Sequence, residues 1–188
     1  YADGLGGAAA GAGLAEGASR RVSAPIIVSA LMGAADFAWA DGLRRAHFPP
    51  DRNVLSAHLT LFHHLPPSAL AEVSARIKAL CRGPAPVARL SEVMLLGQGV
   101  AFRIDSPQLS AMRDEMADAF TGLLTPQDQA RPRLHVTVQN KVKPAEAKAL
   151  AEALRADFQP RPFVIAGLAA WHYRGGPWEL AMKASFRG

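Results

Sequence analysis

The strongest constraint on this 188-residue chain is a four-residue string that occurs twice. The string is His58-Leu59-Thr60-Leu61 in its first copy and His135-Val136-Thr137-Val138 in its second. Sliding the sequence until the strings coincide also aligns other positions without a gap: Ala40-Asp41 with Ala117-Asp118, Pro49 with Pro126, Asp51 with Asp128, and Pro67 with Pro144. This agreement indicates two copies of one supersecondary unit, related by a pseudo-twofold axis.

Hydrophobic spacing and the positions of proline and glycine predict the elements of each copy. In the first copy we expect strands over residues 25–32, 56–65, 87–96 and 100–105, and helices over residues 34–47 and 67–81. In the second copy we expect helices over residues 109–124 and 144–158, and strands over residues 134–142, 163–173 and 178–186. The strand over 100–105 closes the first copy and opens the second. The pattern predicts an α+β fold of two mostly antiparallel sheets, with helices on one face of each.

The repeated string places its polar side chains together. Residues two apart on a strand point to the same face, so Leu59 and Leu61 should face the core while His58 and Thr60 face the other side. The second copy repeats this arrangement with His135 and Thr137. A pseudo-twofold axis would then set two imidazoles and two hydroxyls opposite each other across a groove.

Two imidazoles that face one groove suit phosphodiester chemistry. An unperturbed imidazole titrates near pH 6.5, so one ring can accept a proton while the other donates one. In-line displacement at phosphorus needs these two roles on opposite sides of the phosphorus atom. Threonine hydroxyls can donate hydrogen bonds to the non-bridging oxygens. We therefore predict that His58 and His135 are catalytic and that Thr60 and Thr137 bind phosphate, with no metal and no cofactor.

Charge points to the same class of partner. The net charge is +5, and the few charged residues among the first 21 positions cancel, so the excess lies on the folded body. A basic body favours an anionic partner such as nucleic acid or phosphate. The candidate substrate contacts are the cations beside the second motif, which are Arg131, Arg133 and Lys141, although the two arginines could equally be exposed loop residues. Phe62 either stacks a base or packs in the core.

Other features exclude several classes of protein. No apolar run approaches the roughly 20 residues of a membrane-spanning helix. The single cysteine, Cys81, excludes an intramolecular disulfide and multi-cysteine metal sites. His63 and His64 are adjacent on a strand and should point to opposite faces, so we do not expect them to chelate one metal ion. Arg44 and Arg45 are expected on a solvated helix face. We expect a cytoplasmic monomer with no membrane partner.

The first 23 residues are rich in glycine and alanine and offer little apolar surface to bury. They predict a flexible tail or a segment added to the natural sequence. Residues 24–188 are expected to form a single domain, with repeats over about 24–105 and 100–187.

Two H-x-T-x strands in duplicated halves resemble the 2H phosphoesterase superfamily. The flanking strings resemble its bacterial 2'-5' RNA ligase branch; they are PPDRNVLSAHLTLFHHLP, RPRLHVTVQNKV and WHYRGGPWEL. The resemblance covers about residues 24–187. It implies a bilobal fold with helices on the outer faces, a central groove and metal-independent chemistry. By position, His58 and His135 match the paired catalytic histidines, and Thr60 and Thr137 match the phosphate-binding positions.

The resemblance implies hydrolysis of 2',3'-cyclic phosphates or 2'-5' linkages at RNA ends, with ligation as the reverse reaction. A cyclic phosphodiesterase acting on a small nucleotide and a non-catalytic RNA-binding module stay open as alternatives. Many relatives carry an arginine where this chain has Asn140, so Lys141 or Arg133 must supply the cation. The aromatic residues of the last hairpin either line the groove or pack against it; they are Trp171, Trp178 and Tyr173, of which Tyr173 is a candidate substrate contact.

Overall fold

A computed structural model describes residues 24–187 of the chain, and the expected tail over residues 1–23 lies outside the described residues. The strands are β1 (Ile26–Met32), β2 (Leu59–Leu65), β3 (Val87–Leu95), β4 (Val100–Asp105), β5 (His135–Gln139), β6 (Arg161–His172) and β7 (Glu179–Ser185). The helices are α1 (Ala34–His47), α2 (Leu70–Leu80), α3 (Pro107–Ala119), the single-turn α4 (Pro126–Gln129) and α5 (Pro144–Ala156). Mixed helices and antiparallel strands confirm the expected α+β class.

The largest boundary differences from the sequence prediction in the second half of the chain are at the ends of α3 and β5. Helix α3 ends at Ala119 because the chain turns at Gly122, whose φ of 84° is left-handed. A new turn, α4, then begins, and the Thr125 hydroxyl caps it by accepting from the Asp128 N–H. Strand β5 ends at Gln139 because Lys141, with φ of 62°, has a backbone conformation that no strand can continue.

The strand order can be compared with the expected duplication. The sheet runs β2-β1-β6-β3-β4-β5, with β7 also paired to β6, and all the pairings are antiparallel. The two sheets expected from the sequence are therefore continuous, because residues 161–164 of β6 pair with β3 while its later residues pair with β1 and β7. If β1, β2 and β3 correspond to β4, β5 and β6, the order is symmetric about the β6–β3 junction. This topology is compatible with a duplication in which each copy contributes its third strand to the other half of the sheet.

The ungapped alignment of the copies holds for the motif strands but not for the strands beside them. Thr60 of β2 pairs with Ser29 of β1, whereas Thr137 of β5 pairs with Ala101 of β4. The ungapped alignment that matches Thr60 with Thr137 also matches Ser29 with Ser106, so it predicts Ser106 and not Ala101 as the partner of Thr137. The repeat therefore needs a gap between its first strand and its motif strand.

The motif strands are anchored by their apolar residues. Leu59, Leu61, Val136 and Val138 are all buried in the core, as the alternation predicts. Helix α1 packs against β5 and α4 packs against β2, so a helix from each half of the chain covers the motif strand of the other half. Although β2 and β5 end the sheet order at opposite edges, their Cα atoms approach within 8 Å. The curled sheet thereby makes neighbours of two motifs that are far apart in sequence.

Within residues 24–187, each helix is too short or too polar to cross a lipid bilayer.

Candidate active site

Both histidine motifs open into one groove of about 420 Å³. His58 immediately precedes β2, His135 is the first residue of β5, and each strand carries its threonine two residues later. All four of these side chains line the groove and are half-buried. The remaining lining residues come mainly from α4, from the segment before β5 and from Trp178. The structure thus brings together the four residues that the sequence pairs.

The two imidazoles are oriented in the same way. Nδ1 of His58 lies 2.8 Å from the carbonyl oxygen of Ser56, and Nδ1 of His135 lies 2.6 Å from that of Arg133. A carbonyl oxygen only accepts, so each Nδ1 must carry the hydrogen. This tautomer leaves Nε2 of each ring as the nitrogen free to exchange a proton with a bound molecule.

A β-bulge follows each threonine and is repeated in both halves. Thr60 pairs with Ser29 and Phe62 with the next β1 residue, Val28, so one β2 residue is extra. In β5 the same irregularity lies between Thr137, paired with Ala101, and Gln139, paired with Val100. The bulge reverses the alternation beyond each motif, and Phe62 and Gln139 are therefore buried.

Burial separates His58 chemically from an ordinary histidine. Desolvation lowers the pKa of His58 to about 4, against the opposing hydrogen bond to Ser56, and the positive charges of Arg44 and His135 lower it further. The indole of Trp178 contributes to this environment, since its ring centroid is 4.6 Å from that of His58. The imidazole of His58 is consequently neutral at pH 7 and able to accept a proton.

A second, more apolar pocket of about 370 Å³ lies beside His58. Trp178 and Trp171 form part of its wall, and their ring centroids are 6.1 Å apart. The indole Nε1 of Trp171 donates to the Ser29 hydroxyl at 2.8 Å, which fixes its orientation. Phe37 lines the pocket as well. The pocket has the aromatic character that planar ligands such as nucleobases prefer.

The other sequence-predicted substrate contacts are placed differently. Arg133 lines the groove, whereas Arg131 lines a neighbouring pocket on the side of α3. Lys141 lies in the turn after β5, and Tyr173 is 43% exposed; neither lines the groove. Phe62 is fully buried and packs in the core, so its assignment as a base-stacking substrate contact is wrong: the bulge in β2 turns its ring inward.

Sequence reasoning missed Arg44, which was expected on a solvated helix face. Arg44 is 4% exposed, and its guanidinium donates to Asn53 Oδ1 and the Leu55 carbonyl at 2.8 Å and to the Thr137 carbonyl at 2.9 Å. It therefore connects the loop that leads to His58 with the second motif strand. The available signal was the four-residue spacing from Ala40 to Arg44, which places both on the inward stripe of α1.

A hydrogen-bonded histidine and aspartate also lie at the groove, and this pair was not predicted. Asp128 is 1% exposed, and its Oδ1 is 3.0 Å from Nδ1 of His63. Burial alone would raise the pKa of Asp128, but hydrogen bonds from His63 and from the His64 backbone outweigh it and lower that pKa. Asp128 is thus an ionised, buried carboxylate. The Asp51–Asp128 match in the sequence carried no hint of this, because Asp51 is exposed.

Residues 24–187 contain no cluster of three or more histidine, cysteine, aspartate or glutamate side chains arranged to hold a metal ion. Cys81 is buried beside β7, where its thiol lies 3.5 Å from the Ala184 carbonyl, and burial raises its pKa. The thiol does not line the groove.

Comparison with known proteins identifies relatives of this fold and sequence. A family model described as the 2'-5' RNA ligase superfamily matches residues 33–177. A search of curated protein sequences finds no match. Among solved structures, TT0787 of Thermus thermophilus matches with a TM-score of 0.56 and 16% identity, covering 87% of this chain and 98% of that one.

Escherichia coli LigT complexed with 3'-AMP also matches, with a TM-score of 0.56 and 15% identity over 88% of this chain and 99% of LigT. LigT complexed with phosphate matches with a TM-score of 0.51 and 17% identity over 88% and 98% of the two chains. At these identities the structural likeness establishes a common fold.

Proposed function

The chain belongs to the 2'-5' RNA ligase superfamily, and from that premise we propose that its groove hydrolyses 2',3'-cyclic phosphates or 2'-5' linkages at RNA ends. One observation carries the proposal: two imidazoles with the same tautomer and two threonine hydroxyls line a single groove. A tetrahedral phosphate between the motif strands would have an Nε2 and a hydroxyl available from each strand.

The low pKa of His58 supports giving it the first proton transfer. As a neutral imidazole, His58 accepts the proton of an attacking water on Nε2, and the water oxygen forms a bond to phosphorus. His135 donates a proton from Nε2 to the ribose oxygen whose bond to phosphorus breaks. Water is consumed, and a phosphomonoester with a free ribose hydroxyl is formed.

The threonines and cations stabilise the charge that develops during this displacement. The Thr60 and Thr137 hydroxyls donate to the non-bridging oxygens, where negative charge increases in the transition state. Arg133, at the rim, attracts the anionic substrate into the groove. If the 5'-hydroxyl of a second RNA replaces water and the leaving group is the 3'-oxygen, the same steps form a 2'-5' linkage.

The apolar pocket favours a second candidate, a cyclic phosphodiesterase acting on a small nucleotide. Trp171 and Trp178 give a nucleobase surfaces to contact beside His58. LigT, which shares the fold, has been crystallised with 3'-AMP and with NADP+. The chemistry of this candidate is the same, and only the number of nucleotides that the groove engages differs.

The test is turnover of a short RNA that ends in a 2',3'-cyclic phosphate, measured with EDTA present and compared with the matching cyclic mononucleotide. We expect His58→Gln and His135→Gln to lose at least about 100-fold in kcat, the contribution of a general acid or base. Thr60→Val and Thr137→Val should each lose about 10-fold or more. Tight, salt-dependent RNA binding that is indifferent to both histidine substitutions, without turnover, would instead make the protein a non-catalytic RNA-binding module.

A further inference from the structure

A third histidine, His63, lies at the groove and has no part in the proposed acid–base chemistry. Strict alternation from Leu59 and Leu61 would turn His63 into the core. The bulge in β2 reverses that direction, so the His63 side chain is 46% exposed and lines the same groove as His58 and Thr60. It is near enough for its charge to lower the pKa of His58.

Asp128 holds this imidazole in one orientation. Its carboxylate accepts from the backbone N–H groups of His63 and His64 at 2.9–3.0 Å, and the Nδ1 of His63 lies 3.0 Å from Oδ1. An ionised carboxylate accepts, so Nδ1 of His63 carries hydrogen and Nε2 is the ring nitrogen left for a ligand. Asp128 accepts from three N–H groups and is only 1% exposed, so its carboxylate positions His63 and does not contact a ligand itself.

The surroundings of His63 suit an anion. Asp128 is the one carboxylate among the described residues that line the groove, and it is buried beneath His63. The other charged or titratable lining side chains are His58, His135, Arg113 and Arg133. Arg113 is itself buried, donates to the backbone carbonyl of Asp128 and lies with its guanidinium 4.7 Å from the Phe62 ring centroid.

We propose that His63 binds the phosphate adjacent to the scissile one, and so makes an RNA end of two or more nucleotides a better substrate than a cyclic mononucleotide. His58 and His135 already supply the two proton transfers at the scissile phosphorus, and a third imidazole has no step left there. The neighbouring internucleotide phosphate is the next anionic group along an RNA strand. Asp128 holds the ring so that Nε2 faces the groove, from where a protonated His63 would donate a charge-assisted hydrogen bond to a phosphate oxygen. This inference rests on the proposed function and specifies its substrate class.

The test compares three substrates: a cyclic mononucleotide, the dinucleotide ending in the same 2',3'-cyclic phosphate, and that dinucleotide with an uncharged methylphosphonate between its nucleosides. All three substrates carry the same nucleobase at the cyclic phosphate, chosen as the one whose cyclic mononucleotide is turned over fastest. In the wild-type protein we expect kcat/KM to be about tenfold higher for the natural dinucleotide than for the methylphosphonate, the contribution of one charge-assisted hydrogen bond. In His63→Gln that ratio should fall to about one, through KM rather than kcat.

The matched control is His64→Gln, because His64 is exposed at the next position and uses only its backbone to contact Asp128. It should keep the wild-type ratio. An equal loss on all three substrates in His63→Gln would overturn the proposal and make His63 a structural or catalytic residue. An unchanged ratio would overturn it as well.

The affinity of the protein for the reaction products, measured by calorimetry, tests this proposal independently of the proposed function. The products are the mononucleotide and dinucleotide phosphomonoesters, whose binding requires no turnover. If neither cyclic phosphates nor 2'-5' linkages are hydrolysed, the proposed function fails; a dinucleotide preference lost in His63→Gln would still support the phosphate site. Turnover with no such preference would overturn the phosphate site alone.

Discussion

Removal of the Trp178 indole should change the pH dependence of the reaction in a calculable way. The His58 pKa of about 4 arises first from desolvation, and the Trp178 ring, 4.6 Å from the imidazole, is part of what excludes water. In Trp178→Ala the imidazole becomes solvated, and its pKa should rise toward the ordinary value of about 6.5. The positive charges of Arg44 and His135 still lower the pKa in this variant, so the ordinary value is an upper limit.

The magnitude follows from the fraction of His58 that is neutral. With a pKa of about 4, roughly 90% of the imidazole is neutral at pH 5, whereas with a pKa of about 6.5 roughly 3% is. If His58 is the base, kcat/KM at pH 5 should therefore fall by up to about 30-fold from this cause. At pH 8 the His58 imidazole is neutral in both the wild-type protein and Trp178→Ala. Any loss of kcat/KM at that pH therefore reports weaker binding of the substrate in the absence of the indole.

The assay is a profile of kcat/KM against pH on a 2',3'-cyclic phosphate, which reports the pKa of the free enzyme. An NMR titration of the His58 ring in the absence of substrate gives an independent value. Trp178→Phe retains an aromatic ring and should leave the acid limb within about half a pH unit of its wild-type position. A wild-type limb already near pH 6.5, or one that Trp178→Ala leaves unmoved, would refute both the desolvation argument and the assignment of His58 as base.

Three further outcomes test the fold around the site. As pH falls, His58 is protonated in the unfolded chain, where its pKa is about 6.5, before it is protonated in the folded protein. The free energy of unfolding should therefore decrease by up to ~3 kcal/mol between about pH 6.5 and 4. Urea titrations of His58→Gln should lack this part of the decrease. Arg44→Met removes three hydrogen bonds from a buried guanidinium and should cost about 3 kcal/mol in the same assay, whereas Arg45→Met, at a side chain that is 71% exposed, should cost less than about 0.5 kcal/mol. Gly99→Ala would place a Cβ 2.1 Å from a backbone oxygen at the end of β5 and should lower the melting temperature together with activity, whereas Gly176→Ala, with open space around it, should change neither. Equal effects within either matched pair would contradict the packing described.

The motif and its immediate surroundings could be predicted because they depend on local rules. Alternation along a strand places Leu59 and Leu61 inward, and it turns His58 and Thr60 outward for as long as the strand is regular. That rule fails at the bulge after Thr60, where Phe62 becomes buried. The bulge is defined by the pairing of β2 with β1, which involves residues roughly thirty positions away.

Helix α1 likewise shows that local rules do not predict which residues are buried. In α1 the large apolar residue Phe37 is 39% exposed and lines the apolar pocket. The buried stripe consists of Asp36, Ala40 and Arg44, whose polar members find partners on other elements. Composition favours apolar residues inside, but a charged residue is buried where distant backbone groups satisfy its hydrogen bonds.

The sequence alone determined the class of fold and the two His/Thr pairs, because each follows from spacing within a short segment, whereas the duplication of a whole unit stays a prediction. Only the tertiary structure decided that β6 lies between β1 and β3 in the sheet, and that Arg44 holds the backbone of Thr137. It also decided that Asp128 orients His63 toward the groove. These features join residues that are far apart in sequence, and their free energy comes from contacts that do not exist until the sheet has curled and brought β2 to β5.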